Sequence, residues 1–78
     1  MSRKEFLLLF DEVLELPAGT LSGPERLEDL KQWDSAAMIG FIALTDNHNG
    51  RRLSPRQIVN CATVEDLLTL AQVYGEPG

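Results

Sequence analysis

Few residues of this 78-residue sequence could take part in covalent chemistry or bind a metal. His48 is the only histidine and Cys61 the only cysteine. Nucleophilic catalysis needs a hydroxyl or thiol held beside a base, and a metal site needs several ligands at suitable spacing. We therefore predict no catalytic residue and no metal site. We interpret His48 as a solvated residue near a helix end and Cys61 as a small residue of the core.

Ser35 differs from these residues because of its position. It follows Asp34 and precedes an apolar stretch, residues 36–44. Asp is a favoured helix N-cap, so Ser35 is predicted to begin a helix. Serine near a helix start is usually only a capping residue, and the dipeptide alone does not indicate a function. A phosphate ester at this hydroxyl would, however, lie near unpaired N–H groups and the positive end of the helix dipole.

Hydrophobic periodicity predicts four helices and no strand. The predicted spans are residues 3–16, 35–49, 55–60 and 64–74. Ser2, Asp34, Ser54 and Thr63 stand where N-caps are expected, and Gly50 ends the second helix. In the first helix we expect Asp11, Glu12 and Glu15 to lie mostly on the side away from the apolar stripe.

The predicted fold class is all-α: a small four-helix bundle with a long first loop and a short third helix, forming one domain over residues 1–78. The long loop, residues 17–34, contains the turn-forming residues Pro17, Gly19 and Gly23-Pro24. Leu21, Leu27 and Leu30 are expected to hold this loop against the core, and a short helical turn fits within residues 24–31. A loop of this length in so small a chain is often functional.

With Asp34-Ser35 opening the second helix, the sequence resembles the acyl carrier protein family, in a Trp-Asp-Ser variant. From Asp34 to about Leu67 it follows the family pattern without a gap. Gly50 lies where the helix-ending glycine is expected, Ser54-Pro55 fits the start of the third helix, and Thr63-Val64 followed by Asp66 fits the start of the fourth. The layout of the first helix and long loop also matches, so the resemblance implies a bundle of acyl-carrier type.

The resemblance implies that Ser35 carries 4′-phosphopantetheine taken from coenzyme A, with Asp34 as part of the motif. The cargo would be held as a thioester, and the chain would not be an enzyme. The implied partners are a phosphopantetheinyl transferase and the ligase and synthase enzymes that load and use the carrier. The resemblance does not identify the cargo, because fatty acyl, polyketide, hydroxyacyl and aminoacyl groups are all carried on this kind of scaffold. The family is usually monomeric, so a monomer is expected.

The sequence departs from the family pattern around the second helix. Ala36 stands where the family usually has Leu, and Trp33 stands where the common fatty-acid carriers have a small residue. The family's row of acids is reduced to Asp46, with Gly40 at a position where glutamate is common. This pattern is typical of specialised carriers that work with dedicated synthetases and ligases. The predicted docking residues are Trp33, Ala36, Ile39, Gly40, Ala43 and Asp46, and Trp33 could equally pack the loop on the core.

Charge and composition narrow the class of partner. The net charge is −5 and the sequence pI is about 4.6, which makes nucleic acid an unfavourable ligand. Residues 35–64 carry +2, from Arg51, Arg52 and Arg56 against Asp46, whereas the flanking segments are negative. These arginines either form a solvated cluster or contact an acidic partner or the phosphates of coenzyme A. No signal peptide or membrane span is recognisable, and one cysteine suits a reducing compartment, so a cytoplasmic location is expected.

A second function fits the same four helices. The chain could be an unmodified protein–protein interaction module that docks through the Ala36–Ala43 part of the second helix. The two functions differ in whether Ser35 is ever modified.

Overall fold

The computed structural model describes residues 2–72, and these form four α-helices with one 3₁₀ turn. The helices are α1 (Arg3–Val13), α2 (Ser35–Asn49), α3 (Pro55–Ile58) and α4 (Val64–Leu70), and the 3₁₀ turn is Leu27–Asp29. Within this range no strand forms, apart from one isolated bridge, so the all-α prediction is confirmed. None of the helices in residues 2–72 has the combined length and hydrophobicity to cross a bilayer.

Three phenylalanines form the centre of the core. Phe6 and Phe10 of α1 and Phe41 of α2 have no exposed surface. The ring centroids of Phe10 and Phe41 lie 4.9 Å apart, and Phe6 meets Phe41 edge-on at 6.0 Å. Replacing a fully buried phenylalanine by alanine costs about 3–5 kcal/mol. The contact between α1 and α2 is therefore a main source of stability in a chain with so small a core.

The helix starts are capped by the side chains that the sequence predicts. Ser2 Oγ accepts from the Glu5 N–H at 3.1 Å, and Asp34 Oδ1 accepts from the Ala37 N–H at 2.8 Å. At α3, Gln57 Oε1 accepts from the Ser54 N–H at 2.9 Å. The fourth helix has a reciprocal capping box, in which Thr63 Oγ1 accepts from the Asp66 N–H and Asp66 Oδ2 accepts from the Thr63 N–H, each at 3.1 Å.

Three helices end earlier than predicted. Helix α1 ends at Val13 rather than Leu16, because Glu15 adopts the left-handed conformation with φ 58°. The Leu16 N–H then bonds back to the Asp11 carbonyl at 2.8 Å, which closes the helix in the manner of a Schellman turn. Helix α3 ends at Ile58 rather than Asn60. Helix α4 ends at Leu70, and Gln72 adopts the left-handed conformation with φ 61°. Val73 and Tyr74, which the prediction included, lie outside the described residues.

The expectation that Asp11 lies on the outer side of α1 is wrong. Its side chain is 1% exposed. Oδ2 accepts from the Gly19 N–H at 2.9 Å, and Oδ1 accepts from the Leu21 N–H at 3.0 Å. A charged group is buried here because the loop supplies donors to both carboxylate oxygens. Asp11 therefore ties the start of the long loop to α1.

The middle of the long loop is held against the start of α4. Backbone bonds run from Leu27 N–H to the Ala62 carbonyl and from Val64 N–H to the Glu25 carbonyl, both at 2.9 Å. Leu21 and Leu27 are buried and Leu30 packs at the edge of the core, as predicted. Arg3 of α1 also pairs with Glu65 of α4 beside this segment. The loop is thus an ordered part of the fold, and it contacts both α1 and the start of α4.

Two carboxylates near this junction have lowered pKa values. Partial burial works to raise the pKa of Glu25, but hydrogen bonds from the N–H groups of Gly23, Glu25 itself and Ser22 and from the Ser22 hydroxyl lower it overall. The pKa of Asp66 is lowered by the N–H groups of Ala62 and Thr63, against a smaller effect of burial. Both groups favour the folded state while they are ionised.

Substitution of Asp11 by Ala should destabilise the fold. The Leu21 N–H would be left buried without an acceptor, and this costs about 1–3 kcal/mol. Urea unfolding followed by circular dichroism measures the loss. The matched control is Glu12→Ala, which removes the neighbouring exposed acid and should leave stability within about 0.5 kcal/mol. Equal effects of the two changes would contradict the role given to Asp11.

Stability should fall in acid because of Glu25 and Asp66. Their folded-state pKa values lie below the ordinary values of 4.5 and 3.8, so the stabilisation is fully present above about pH 4.5. It is lost as the pH falls through the lowered folded-state values. The measurement is the urea midpoint between pH 7 and pH 2. Glu25→Gln should flatten this dependence, whereas the exposed control Glu12→Gln should not.

Candidate functional site

Ser35 is the first residue of α2, and its side chain is exposed. Asp34 precedes it as N-cap, with an extended backbone and its carboxylate bonded to the Ala37 N–H. The first N–H groups of a helix have no acceptor within the helix, and α2 has no acidic residue in its first turn. The Ser35 hydroxyl therefore lies in water at the positive end of a 15-residue helix.

Trp33 fixes the chain just before this site. Its indole meets Phe10 edge-on at a centroid distance of 5.8 Å and Phe41 at 6.3 Å. The side chain is half-buried, so packing of the loop on the core is observed, and a further docking role for its exposed part stays a prediction. Its packing holds Asp34 at the start of α2, and the cap in turn orients the first turn that bears Ser35.

The other predicted docking residues divide into two groups by position. Ala36, Ile39, Ala43 and Asp46 are exposed on α2, and Ile39 is 66% exposed. Gly40 is half-buried and faces α1, where a Cβ atom would come within 2.9 Å of Val13 Cγ1. Gly40 thus allows α1 and α2 to approach closely, which is a packing reason for the glycine that the sequence pattern did not reveal.

A groove lies beside Ser35, between the end of α1 and the first turns of α2. Its volume is about 440 Å³, and it includes the residues on either side of Ser35, Asp34 and Ala36. The complete lining is Val13, Leu14, Glu15, Gln32, Asp34, Ala36, Ala37 and Gly40. The sequence analysis did not single out Glu15 or Gln32. The sequence signal that could have indicated the groove is the set of small residues that α2 presents toward α1, namely Ala36, Ala37 and Gly40.

The arginine cluster is divided in the structure. Arg51 is half-buried, and its Nε donates to the Leu70 carbonyl at the end of α4 at 2.9 Å. Asn49 Nδ2 donates to the next carbonyl, that of Ala71, at 3.0 Å. These bonds satisfy carbonyls that a helix end leaves free. Arg52 and Arg56 are exposed, so only these two arginines of the cluster are open to a partner.

His48 and Cys61 lie away from Ser35 in the sequence and differ in environment. His48 is exposed in the last turn of α2. Cys61 is half-buried against the core, and burial, with a smaller contribution from the charge of Asp66, raises the pKa of its thiol. No group of three or more His, Cys, Asp or Glu side chains suited to a metal ion occurs in residues 2–72. Ser35 is exposed in that range, as are Ser22 and Ser54, and it differs from them in being the first residue of α2.

Comparison of the chain with protein-family models, with curated proteins and with solved structures found no match. The site must therefore be interpreted from its own geometry and from the sequence pattern.

Asp34→Ala should lower the free energy of unfolding by about 1 kcal/mol, because the cap bond to the Ala37 N–H is lost. Asp34→Asn should cost much less, since its side-chain oxygen can accept the same bond. Chemical unfolding monitored by the fluorescence of Trp33 measures both values. A loss for Asp34→Asn as large as that for Asp34→Ala would show that the charge, rather than the hydrogen bond, is what matters.

Proposed function

We propose that this chain is a carrier protein of the acyl-carrier type, with 4′-phosphopantetheine on Ser35. It delivers an acyl or aminoacyl intermediate between biosynthetic enzymes, in a specialised pathway. The observation that carries the proposal is the exposed Ser35 hydroxyl at the start of α2, directly after the Asp34 cap. The four-helix layout, with its long first loop and short third helix, supports it further.

The residues around Ser35 fit a phosphodiester. The unpaired N–H groups and the dipole at the start of α2 favour an anion there. Asp34 orders this turn by accepting a hydrogen bond from the Ala37 N–H at 2.8 Å. Among residues 2–72, the exposed Arg52 and Arg56 follow α2 rather than precede it, so they are left to contact a partner. The backbone N–H groups at the start of α2 are thus one favourable partner for a phosphodiester on Ser35.

Attachment is a phosphoryl transfer in which the Ser35 oxygen is the nucleophile. Ser35 Oγ bonds to the phosphorus that carries pantetheine in coenzyme A, and the bond from that phosphorus to the bridging oxygen breaks. The leaving group is 3′,5′-adenosine bisphosphate, and the hydroxyl proton passes to a base of the transferase. When bound, the cofactor supplies a terminal thiol that holds cargo as a thioester. The chain itself catalyses no bond change, because loading and unloading belong to its partner enzymes.

A second function, that of an unmodified interaction module, is compatible with the exposed apolar side chains. Ile39 on α2 and Val59 after α3 are each 66% exposed, so both present apolar surface that a partner could contact. A carrier would use such residues to dock its partner enzymes, and an unmodified interaction module would use them to hold a binding partner. The state of Ser35 in the producing cell distinguishes these two functions.

The proposal predicts that incubation with coenzyme A, Mg²⁺ and a broad-specificity phosphopantetheinyl transferase adds one phosphopantetheine to the protein. Intact-protein mass spectrometry measures the addition, and Ser35→Ala should abolish it. The matched control is Ser54→Ala, which removes another exposed serine at a helix start and should leave the addition intact.

The proposed function would be overturned by a folded protein that gains no mass with several transferases. It would also be overturned if Ser35→Ala were modified as fully as the natural sequence. The mass of protein isolated from its own host tests the alternative, since an interaction module carries no arm.

A further inference from the structure

The groove beside Ser35 has two causes. The residues that line it on α2 are small, and α1 ends before it covers the first turn of α2. Helix α1 ends at Val13, and Glu15 reverses the chain with φ 58°, so the first turn of α2 is not covered. On α2 the groove is lined by Ala36, Ala37 and Gly40, whose side chains add little volume. The close approach of Gly40 to Val13 brings the two helices together within the lining. The result is an open groove rather than a closed core cavity.

The lining combines apolar walls with uncharged and anionic polar groups. Val13, Leu14, Ala36 and Ala37 provide apolar surface. Glu15 and Asp34 are hydrogen-bond acceptors, and the Gln32 amide both donates and accepts. None of the lining residues is a cation. Such a groove suits a neutral ligand that carries amide groups beside aliphatic carbon, and it disfavours a phosphate.

The pantetheine part of the proposed cofactor has this chemistry. It contains two amides, a hydroxyl group and a dimethyl-substituted carbon, and it carries no charge between its phosphate and its thiol. The phosphate, bonded to Ser35, would remain at the start of α2. The neutral remainder is flexible, and its attachment between Asp34 and Ala36 gives it a high effective concentration at the groove.

We infer that the groove between α1 and α2 is the resting site of the pantetheine arm when no partner enzyme is bound. This inference rests on the proposed function. Glu15 and Asp34 would accept hydrogen bonds from the amide N–H groups, Gln32 would pair with an amide, and Val13 with Ala36 would contact the dimethyl group.

The test is NMR spectroscopy of isotope-labelled protein before and after transfer of unlabelled phosphopantetheine, with complete modification verified by intact mass. We expect NOEs between the arm and the side chains of Val13 and Ala36, and shift changes at Gly40. Ala36→Leu adds a larger side chain to the groove and should abolish the NOEs to Val13. Ala43→Leu is the matched control, since Ala43 is an exposed alanine of α2 outside the groove, and it should retain them.

The outcomes separate the two proposals. Failure to gain the mass of the arm would overturn the proposed function and this inference together. Full modification with shift changes confined to Ser35 and its sequence neighbours, and no NOE to Val13, would overturn the groove alone. Retention of the Val13 NOEs in folded Ala36→Leu protein would also overturn it.

Discussion

A buried carboxylate determines how the long loop of this protein can be ordered. Residues 14–34 form no α-helix or strand, so most of their backbone polar groups need partners outside regular secondary structure. Asp11 supplies two acceptors inside the fold, for Gly19 and Leu21. Beyond this attachment Leu21 is buried in the core, and the backbones of Glu25 and Leu27 bond to Val64 and Ala62 at the start of α4. The loop thereby links the first helix to the last.

The candidate site is the far end of the same loop. Trp33 rests on Phe10 and Phe41, Asp34 caps α2, and Ser35 is presented to solvent one residue later. Each step restricts the next, because packing fixes the indole, the indole limits the path of the backbone, and the cap fixes the first turn of α2. A serine on a free loop would sample many orientations. Here the backbone of Ser35 has a defined position, in the first turn of α2 and between two residues that line the groove.

Local rules predicted much of the fold but not its long-range polar contacts. The span of α2 and the N-caps Ser2, Asp34 and Thr63 follow from short-range patterns that act within a few residues. The burial of Asp11 does not, because its partners are eight and ten residues away in a loop without periodicity. The early end of α1 depends on a left-handed Glu15, a conformation that residue type does not indicate. Likewise, Gly40 is explained by Val13, a neighbour known only from the fold.

The place of Trp33 has an optical consequence. It is the only tryptophan, so fluorescence excited at the red edge of protein absorption comes from one indole. That indole is half-buried against two core phenylalanines and precedes Ser35 by two residues. Its emission therefore senses both loss of the core and a change of solvent next to the hydroxyl. The molecule contains its own spectroscopic probe, and no dye or label is needed to follow events at the start of α2.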